Sequence, residues 1–489
     1  MRVKGAIVTR FDFGDVELGA RKGAFRSPNR GVLVVPDKPR AGAPLVVVSH
    51  LRMPGCTGMI SAYPCPRGRT ELRMDHGMTY LGIDLARHGY SVLIPDLSPL
   101  WVGEEMARPY DQTAGWKKIV GNQRDRLALA NRGRDRGFGA HVTRKIDMRK
   151  VGLVVHSRSS YIVPAAVTAW RRTSPIASVY SYGSALQPHD VPYPDVPFLG
   201  TVGSLDNDVK LTSVQWHLER LDRPRRTAGL VATVPGLGHT YVNRTLSERK
   251  IDERAACERG CPDAGAHERF LQTSTAAWFD ATLRNRRNAM PVTATSPLPT
   301  RLAGREALWL AATNARAHSV YRGTSRLRGV TRIGDGKVIA CRRYEAMDLE
   351  PHRDRCPEAK IGVTTSQAAV AHLTLTRSGG ARFTTTPTSR VRQVVLNLNP
   401  ADTRTDTLGG TPLRLTLVDA RGGRHVQNVS RLNPALKDRR TAEDNGAYAL
   451  GTIRLPARGV GDAPVVAVEL TGGSGSGQID VERIQLVTG

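Results

Sequence analysis

The chain of 489 residues is short of aromatic side chains, of carboxylates and of long apolar runs, and each shortage removes a class of function. Phe, Trp and Tyr make up 5% of it, too few for the stacking platform that binds single-stranded nucleic acid. Nucleic acid is therefore not an expected partner. No apolar stretch approaches the ~20 residues of a membrane-spanning helix, so no membrane span is expected. The N-terminus, MRVKGAIVTRFDFG, lacks the sustained apolar core of a signal peptide. Asp and Glu number 44 against 71 Lys and Arg, leaving a formal charge of +27. The excess is mostly arginine spread along the chain. A solvated basic surface is the plain reading, and attraction to an anionic surface is the sharper one.

Cysteine is scarce as well, but its 6 residues fall in local pairs: Cys56 with Cys65, Cys257 with Cys261, and Cys341 with Cys356. That pattern implies disulfides and an oxidising compartment, so a secreted or extracellular location is expected. No pair has CxxC spacing, and only His267 stands close to one, so no metal site is expected.

The length calls for two or three cores. Over residues 1–287, short β-branched runs alternate with helical patterns. The expected strands are 31–37, 44–50, 90–96, 151–155, 176–180, 197–202 and 229–234. The expected helices are 78–89, 123–133, 162–172, 211–221 and 267–287. Nearly continuous apolar runs suit strands buried on both faces, and the alternation predicts an α/β fold with a mostly parallel sheet flanked by helices. Residues 288–303 read as a linker, opening on the Pro-, Ser- and Thr-rich NAMPVTATSPLPT. From 304 to 489 the pattern turns to strands at 305–312, 371–377, 392–400, 413–422, 451–457, 463–472 and 478–487. That texture predicts an antiparallel β-sandwich, of jelly-roll or carbohydrate-binding character.

The chemistry centres on VGLVVHSRSS (151–160), where a strand leads into Ser157 and then a helical segment. A serine at such a junction stands above the carboxyl edge of the sheet, and the N–H of Arg158 offers one oxyanion donor. Asp206 follows a strand in the turn GSLD, and His239 follows another in PGLGH. The order Ser, Asp, His matches a nucleophile, acid and base converging at one sheet edge. His156 reads as a structural histidine rather than the base. Asp208 in SLDND is the rival acid, and Asp206 is preferred because it closes the turn. The second oxyanion donor is expected from the loop after the early strand, at the amide of Leu51. The stretch 98–116, with Trp101, Tyr110, Trp116 and the Glu104–Glu105 pair, reads either as a lid or substrate surface or as a long loop anchored by buried aromatics.

VVVSH (46–50), YLGIDLARHGYSVLIPD (80–96), HSRSS (156–160), GSLDNDV (203–209) and PGLGH (235–239) together resemble the α/β-hydrolase superfamily. The nearest flavour is that of secreted bacterial esterases related to dienelactone hydrolases, PAF-acetylhydrolases and cutinases. The resemblance spans roughly residues 30–285. It implies Ser157 as nucleophile, Asp206 as acid, His239 as base, no cofactor, and an ester-containing small molecule, lipid or polymer as substrate. An acyltransferase or lactone-forming cyclase with the same triad, and an impaired binding or scaffolding protein, are the alternative expectations. The departures are specific. The elbow's usual glycines are Val155 and Ser159 here, and Leu51 follows His50 where glycine is common. Valine is the larger, β-branched intrusion and demands a compensating gap in the neighbouring helix.

Overall fold

β-branched and aliphatic runs supply the buried strands of a computed structural model of the chain. It describes all residues except 19–24, 39–41, 107–110, 186–193, 207, 210–213, 215, 218, 219, 222, 252–261, 287–289, 325, 346–348, 351–357, 360–366, 402–408 and 438–449. The chain divides into two compact units, Met1–Gly200 with Gly238–Asn288, and Thr201–Leu237 with Ala289–Gly489.

In the first unit the strands are β1 (Arg2–Val3), β2 (Ala6–Glu17), β3 (Arg26–Pro36), β4 (Ala43–Ser49), β5 (Ser91–Pro95), β6 (Ile146–His156) and β7 (Ile176–Tyr182). The division between units falls inside β8 (Phe198–Gly203). The order β1-β2-β3-β5-β4-β6-β7 is a mixed sheet with a parallel centre. β4 pairs in parallel with β5 and β6, and β6 pairs in parallel with β7. β1, β2 and β3 join antiparallel at one side.

The helices are α1 (Met74–Gly77), α2 (Thr79–Arg87), α3 (Ser98–Met106), α4 (Gln112–Asn131), α5 (Val163–Trp170), α6 (Arg244–Ser247) and α7 (Ala264–Thr282). They cover both sheet faces. On one face α2 lies so close that a Cβ at Gly82 would stand 2.9 Å from Val34 Cγ2. On that same face α7 seats Trp278, whose Nε1 donates to the Val179 carbonyl at 2.9 Å. On the other face Trp116 of α4 donates from Nε1 to Ser49 Oγ at 3.0 Å and tilts against Trp170 of α5. Val46, Val47, Leu93, Leu153 and Val154 are buried between these layers, as a two-sided parallel sheet requires.

In the second unit β9 (Gly229–Val234) pairs antiparallel with β12 (Leu308–Ala311). A small hairpin, β10 (Arg301–Leu302) with β11 (Arg305–Glu306), precedes β12. The sandwich strands are β13 (Ala317–Arg322), β14 (Val330–Ile333), β15 (Lys337–Glu345), β18 (Gln367–Leu375), β19 (Gly380–Thr388), β20 (Val391–Pro400), β21 (Leu413–Asp419), β22 (Arg424–Val429), β23 (Gly451–Pro456), β24 (Val465–Thr471) and β25 (Gly477–Thr488). Between them β16 (Leu349–Glu350) pairs with β17 (Glu358–Ala359). One sheet runs β15-β18-β25-β20-β23 with β13 on β25, and the other runs β14-β19-β24-β21-β22. Their inner faces share one apolar core that includes Leu373, Phe383, Leu396, Leu415, Val468 and Ile484.

The stretch 98–116, expected as a lid, a substrate surface or a long loop, is mostly helical, with α3 over Ser98–Met106 and α4 beginning at Gln112. Trp101 and Trp116 are buried, while Tyr110 and the side chains of Glu104 and Glu105 lie outside the described residues. Cys56 and Cys65 are joined in a disulfide. Cys341 is disulfide-bonded as well, and Cys257, Cys261 and Cys356 lie outside the described residues.

Candidate active site

β6 ends at His156, and the backbone turns at Ser157 with φ at +56° before a 3-10 turn over Ser157–Ile162 that runs into α5. A side-chain-bearing residue in the left-handed region costs roughly 1–3 kcal/mol, and it persists only where the surroundings hold it. Here the surroundings are the centre of the parallel sheet. Ser157 is buried at 5% exposure, and its carbonyl accepts from the Ala185 N–H at 3.3 Å. Pro164 at the start of α5 fits the first helical turn, where no N–H is needed.

The side chains that replace the usual elbow glycines have identifiable accommodation. Val155 stands in register between Ser49 of β4 and Ser181 of β7, both fully buried. Parallel neighbours in register point to one face, so two small side chains flank the valine. These small neighbours lie on the adjacent strands, whereas the expectation from the sequence is a gap in the neighbouring helix. Ser159 donates from Oγ to the His50 carbonyl at 2.5 Å, which joins the elbow to the end of β4. Ser160 Oγ lies 3.0 Å from Ser181 Oγ, and Ser181 bonds in turn to Ser184.

Leu51, the expected second oxyanion donor, follows β4 and is fully buried, packed with Met53, Leu72, Met74 and Leu246. His50 beside it accepts at Nε2 from the Leu97 N–H at 2.9 Å. Its Nδ1–H is therefore the donor to the Leu51 carbonyl at 2.8 Å. Burial pushes the His50 pKa below its ordinary value, consistent with that neutral tautomer. Arg158 is half-buried in the 3-10 turn, with its guanidinium 5.1 Å from the Tyr161 ring centre.

His239 is buried in the segment after β9, and the backbone around it is held at consecutive groups. Tyr182 donates from its hydroxyl to the Gly238 carbonyl at 2.6 Å. The Gly238 N–H donates to His267 Nε2 at 2.9 Å, while His267 Nδ1 donates to the Asp263 carbonyl at 3.0 Å. His156 Nε2 donates to the His239 carbonyl at 3.0 Å, with the two rings 4.9 Å apart. His156 is thus a backbone clamp on the His239 segment. Just beyond, Tyr80 donates to the Val242 carbonyl and Asn243 to that of Met74.

Asp206 belongs to the second unit, follows β8, and is fully buried. One of its carboxylate oxygens accepts from the N–H groups of Asp208 at 3.1 Å and Val209 at 3.0 Å. Asp208 itself is exposed. Within that unit the Asp206 turn is tied to the segment leading toward His239. Ser204 N–H donates to the Val234 carbonyl, Leu205 N–H to that of Leu237, and Gly236 N–H to Ser204 Oγ. Gly203 permits this approach, since a Cβ there would stand 1.9 Å from the Leu237 oxygen.

In the first unit, then, residues beside Ser157 touch residues beside both Leu51 and His239. Nothing in the sequence points to the partners of Tyr182, His267 and Ser159. Their partners are distant in the chain, and only tertiary folding pairs them. The topology, a parallel-centred sheet flanked by helices with a strained serine turn at the end of a central strand, is that of an α/β-hydrolase in outline. No family model matches the chain, and a search of the curated proteins finds no match.

Proposed function

We propose that the protein is a serine hydrolase that cleaves a carboxylic ester through an acyl-enzyme. The observation that carries this reading is the backbone of Ser157, a buried non-glycine residue at φ +56° between a central parallel strand and a helical turn. Such strain is retained where a turn must present its side chain at the sheet edge. In the proposed reaction His239, oriented by Asp206, takes the proton of Ser157 Oγ as that oxygen attacks the ester carbonyl. The amides of Leu51 and Arg158 receive the developing oxyanion. Collapse expels the alcohol, which takes the proton from His239. Water, deprotonated by His239, then releases the carboxylic acid and frees Ser157. The buried Asp206, with two N–H groups ordering its carboxylate, supports it over the exposed Asp208 as the acid.

The substrate class proposed is an ester-bearing small molecule, lipid or polymer, met outside the cell. The disulfide at Cys56–Cys65 supports an oxidising location. The two-domain scheme, a hydrolase over 1–287 and an accessory β-module from 304, belongs to the same proposal. The test is labelling with a serine-directed fluorophosphonate, followed by an ester panel of graded acyl length. Wild type is expected to be labelled at Ser157 and to turn over at least one ester class, and S157A to do neither. A folded wild type that takes no label and cleaves no ester would sink the reading.

A further inference from the structure

We propose that the hydroxyl of Ser159 is a positioning group that aims the Leu51 amide at the oxyanion, an inference that rests on the hydrolase reading above. The amide in question belongs to the His50–Leu51 peptide, and the carbonyl of that same peptide accepts from Ser159 Oγ at 2.5 Å. A trans peptide is planar, with its N–H directed opposite to its C=O. Fixing the carbonyl therefore fixes the direction of the Leu51 N–H. The next carbonyl, that of Leu51, is held by His50 Nδ1, and the His50 ring is held in turn by the Leu97 N–H. Both carbonyls flanking the Leu51 amide are thus tied, one of them to the turn that carries the nucleophile. His50, Leu51 and Ser159 are all fully buried, so water does not compete for these bonds. A hydrogen bond accepted by a peptide carbonyl also polarises the same peptide's N–H and strengthens it as a donor.

The elbow position occupied by Ser159 usually carries glycine, which has no hydroxyl to give. The serine adds a link that couples the nucleophile turn to the oxyanion loop. That link matters more because Leu51 brings a buried side chain into a loop where glycine is common.

The experiment compares wild type, S159A and S159G on a p-nitrophenyl ester, with a trifluoromethyl ketone as mimic of the tetrahedral oxyanion and fluorophosphonate labelling as a report on Ser157. Thermal melts check folding, and S159G supplies a variant that adds no side chain to the turn. Losing a whole oxyanion donor costs about 100- to 1,000-fold in kcat, so losing its aim is expected to cost about 10- to 100-fold. KM is expected to stay within about twofold, since ground-state binding does not need the oxyanion donor. Ketone affinity should fall in parallel with kcat, and Ser157 should still label. Unchanged kcat and ketone affinity in either folded variant overturns the proposal, while labelling of wild type keeps the hydrolase reading. Unfolding of both variants assigns the hydroxyl to stability alone and also overturns it. A wild type that neither labels nor cleaves removes both ideas together.

Discussion

At Ser157 two effects on stability separate cleanly. Removing only the hydroxyl, as in S157A, or the whole side chain, as in S157G, at φ +56° tests the backbone apart from the chemistry. Glycine adopts that conformation without a Cβ penalty and alanine does not, so S157G should be more stable than S157A by about 1 kcal/mol. Urea unfolding of the two variants measures it, and equal stability would mean the turn is not held in the left-handed region. Val155 makes the opposite case. Restoring the usual glycine there should destabilise the protein by about 2–4 kcal/mol, because it removes a fully buried valine from the centre of the sheet and leaves a cavity in a strand. A stabilised V155G would show that the valine is strained. Among titrating groups His217 stands out, with its pKa held down to about 3, chiefly by burial and then by the positive charge of Arg225. A histidine whose folded pKa lies below its unfolded value lends stability that is complete above the unfolded value of about 6.5. That stability drains away as pH falls toward the folded value. Between pH 6 and 4, wild type should therefore lose stability relative to H217Q by up to about 1.4 kcal/mol per pH unit. Parallel pH profiles for the two proteins would contradict this.

Elements determine where the candidate base sits. The Gly238–His239 backbone is gripped by β7 through Tyr182, by α7 through His267 and by β6 through His156. Each grip satisfies a buried polar group, and a net hydrogen bond of this kind contributes about 0.5–1.5 kcal/mol. Y182F should lower stability by about 1 kcal/mol and reduce kcat more than it changes KM, because it loosens the position of His239 rather than the binding of substrate. Steady-state kinetics with urea unfolding read both, and a change in KM alone would place Tyr182 in substrate binding instead. The elements themselves were unevenly legible. The apolar runs at 44–50, 90–96, 151–155, 176–180 and 229–234 correspond to β4, β5, β6, β7 and β9 within a few residues. β2 was missed, because its alternating AIVTRFDFGDVE exposes polar groups on one side and lacks a continuous apolar run. β14 and β22 escaped for a related reason. They end their sheet's strand order, and RHVQNV of β22 is largely exposed along alternate positions. α4 is longer than expected, beginning at Gln112 rather than 123, with Asp111 capping its first turn through the Thr113 N–H.

For the molecule as a whole, charge and cross-linking are the features that composition controls. A formal charge of +27 predicts retention on anionic matrices and vesicles that weakens steeply as salt rises. The Cys56–Cys65 bond closes a short loop of sequence separation 9, so its removal in a C56S/C65S variant should cost about 2–3 kcal/mol in the chain-entropy picture. Denaturant unfolding of that variant against the oxidised parent tests the figure. An unchanged midpoint would mean that Leu72, Met74 and the packing around them already order the loop.

The sequence by itself determined the continuously apolar strands at the centre of the first sheet, the change of texture into a β-sandwich, and the presence of a serine at a strand-to-helix junction. These are local properties, set by apolar periodicity and chain order. Only the tertiary structure decided how Val155 is accommodated, what the Ser159 hydroxyl does, and which groups hold the His239 backbone. Each depends on a pairing across distant segments: Ser49 and Ser181 beside Val155, His50 against Ser159, and Tyr182, His156 and His267 around residues 238 and 239. Hydrogen-bond direction and side-chain room exist only once the sheet has set its neighbours. The glycine-poor elbow reads from sequence as a departure from the usual pattern, and in the folded chain its two departures are a buried valine and a serine that tethers the His50 carbonyl.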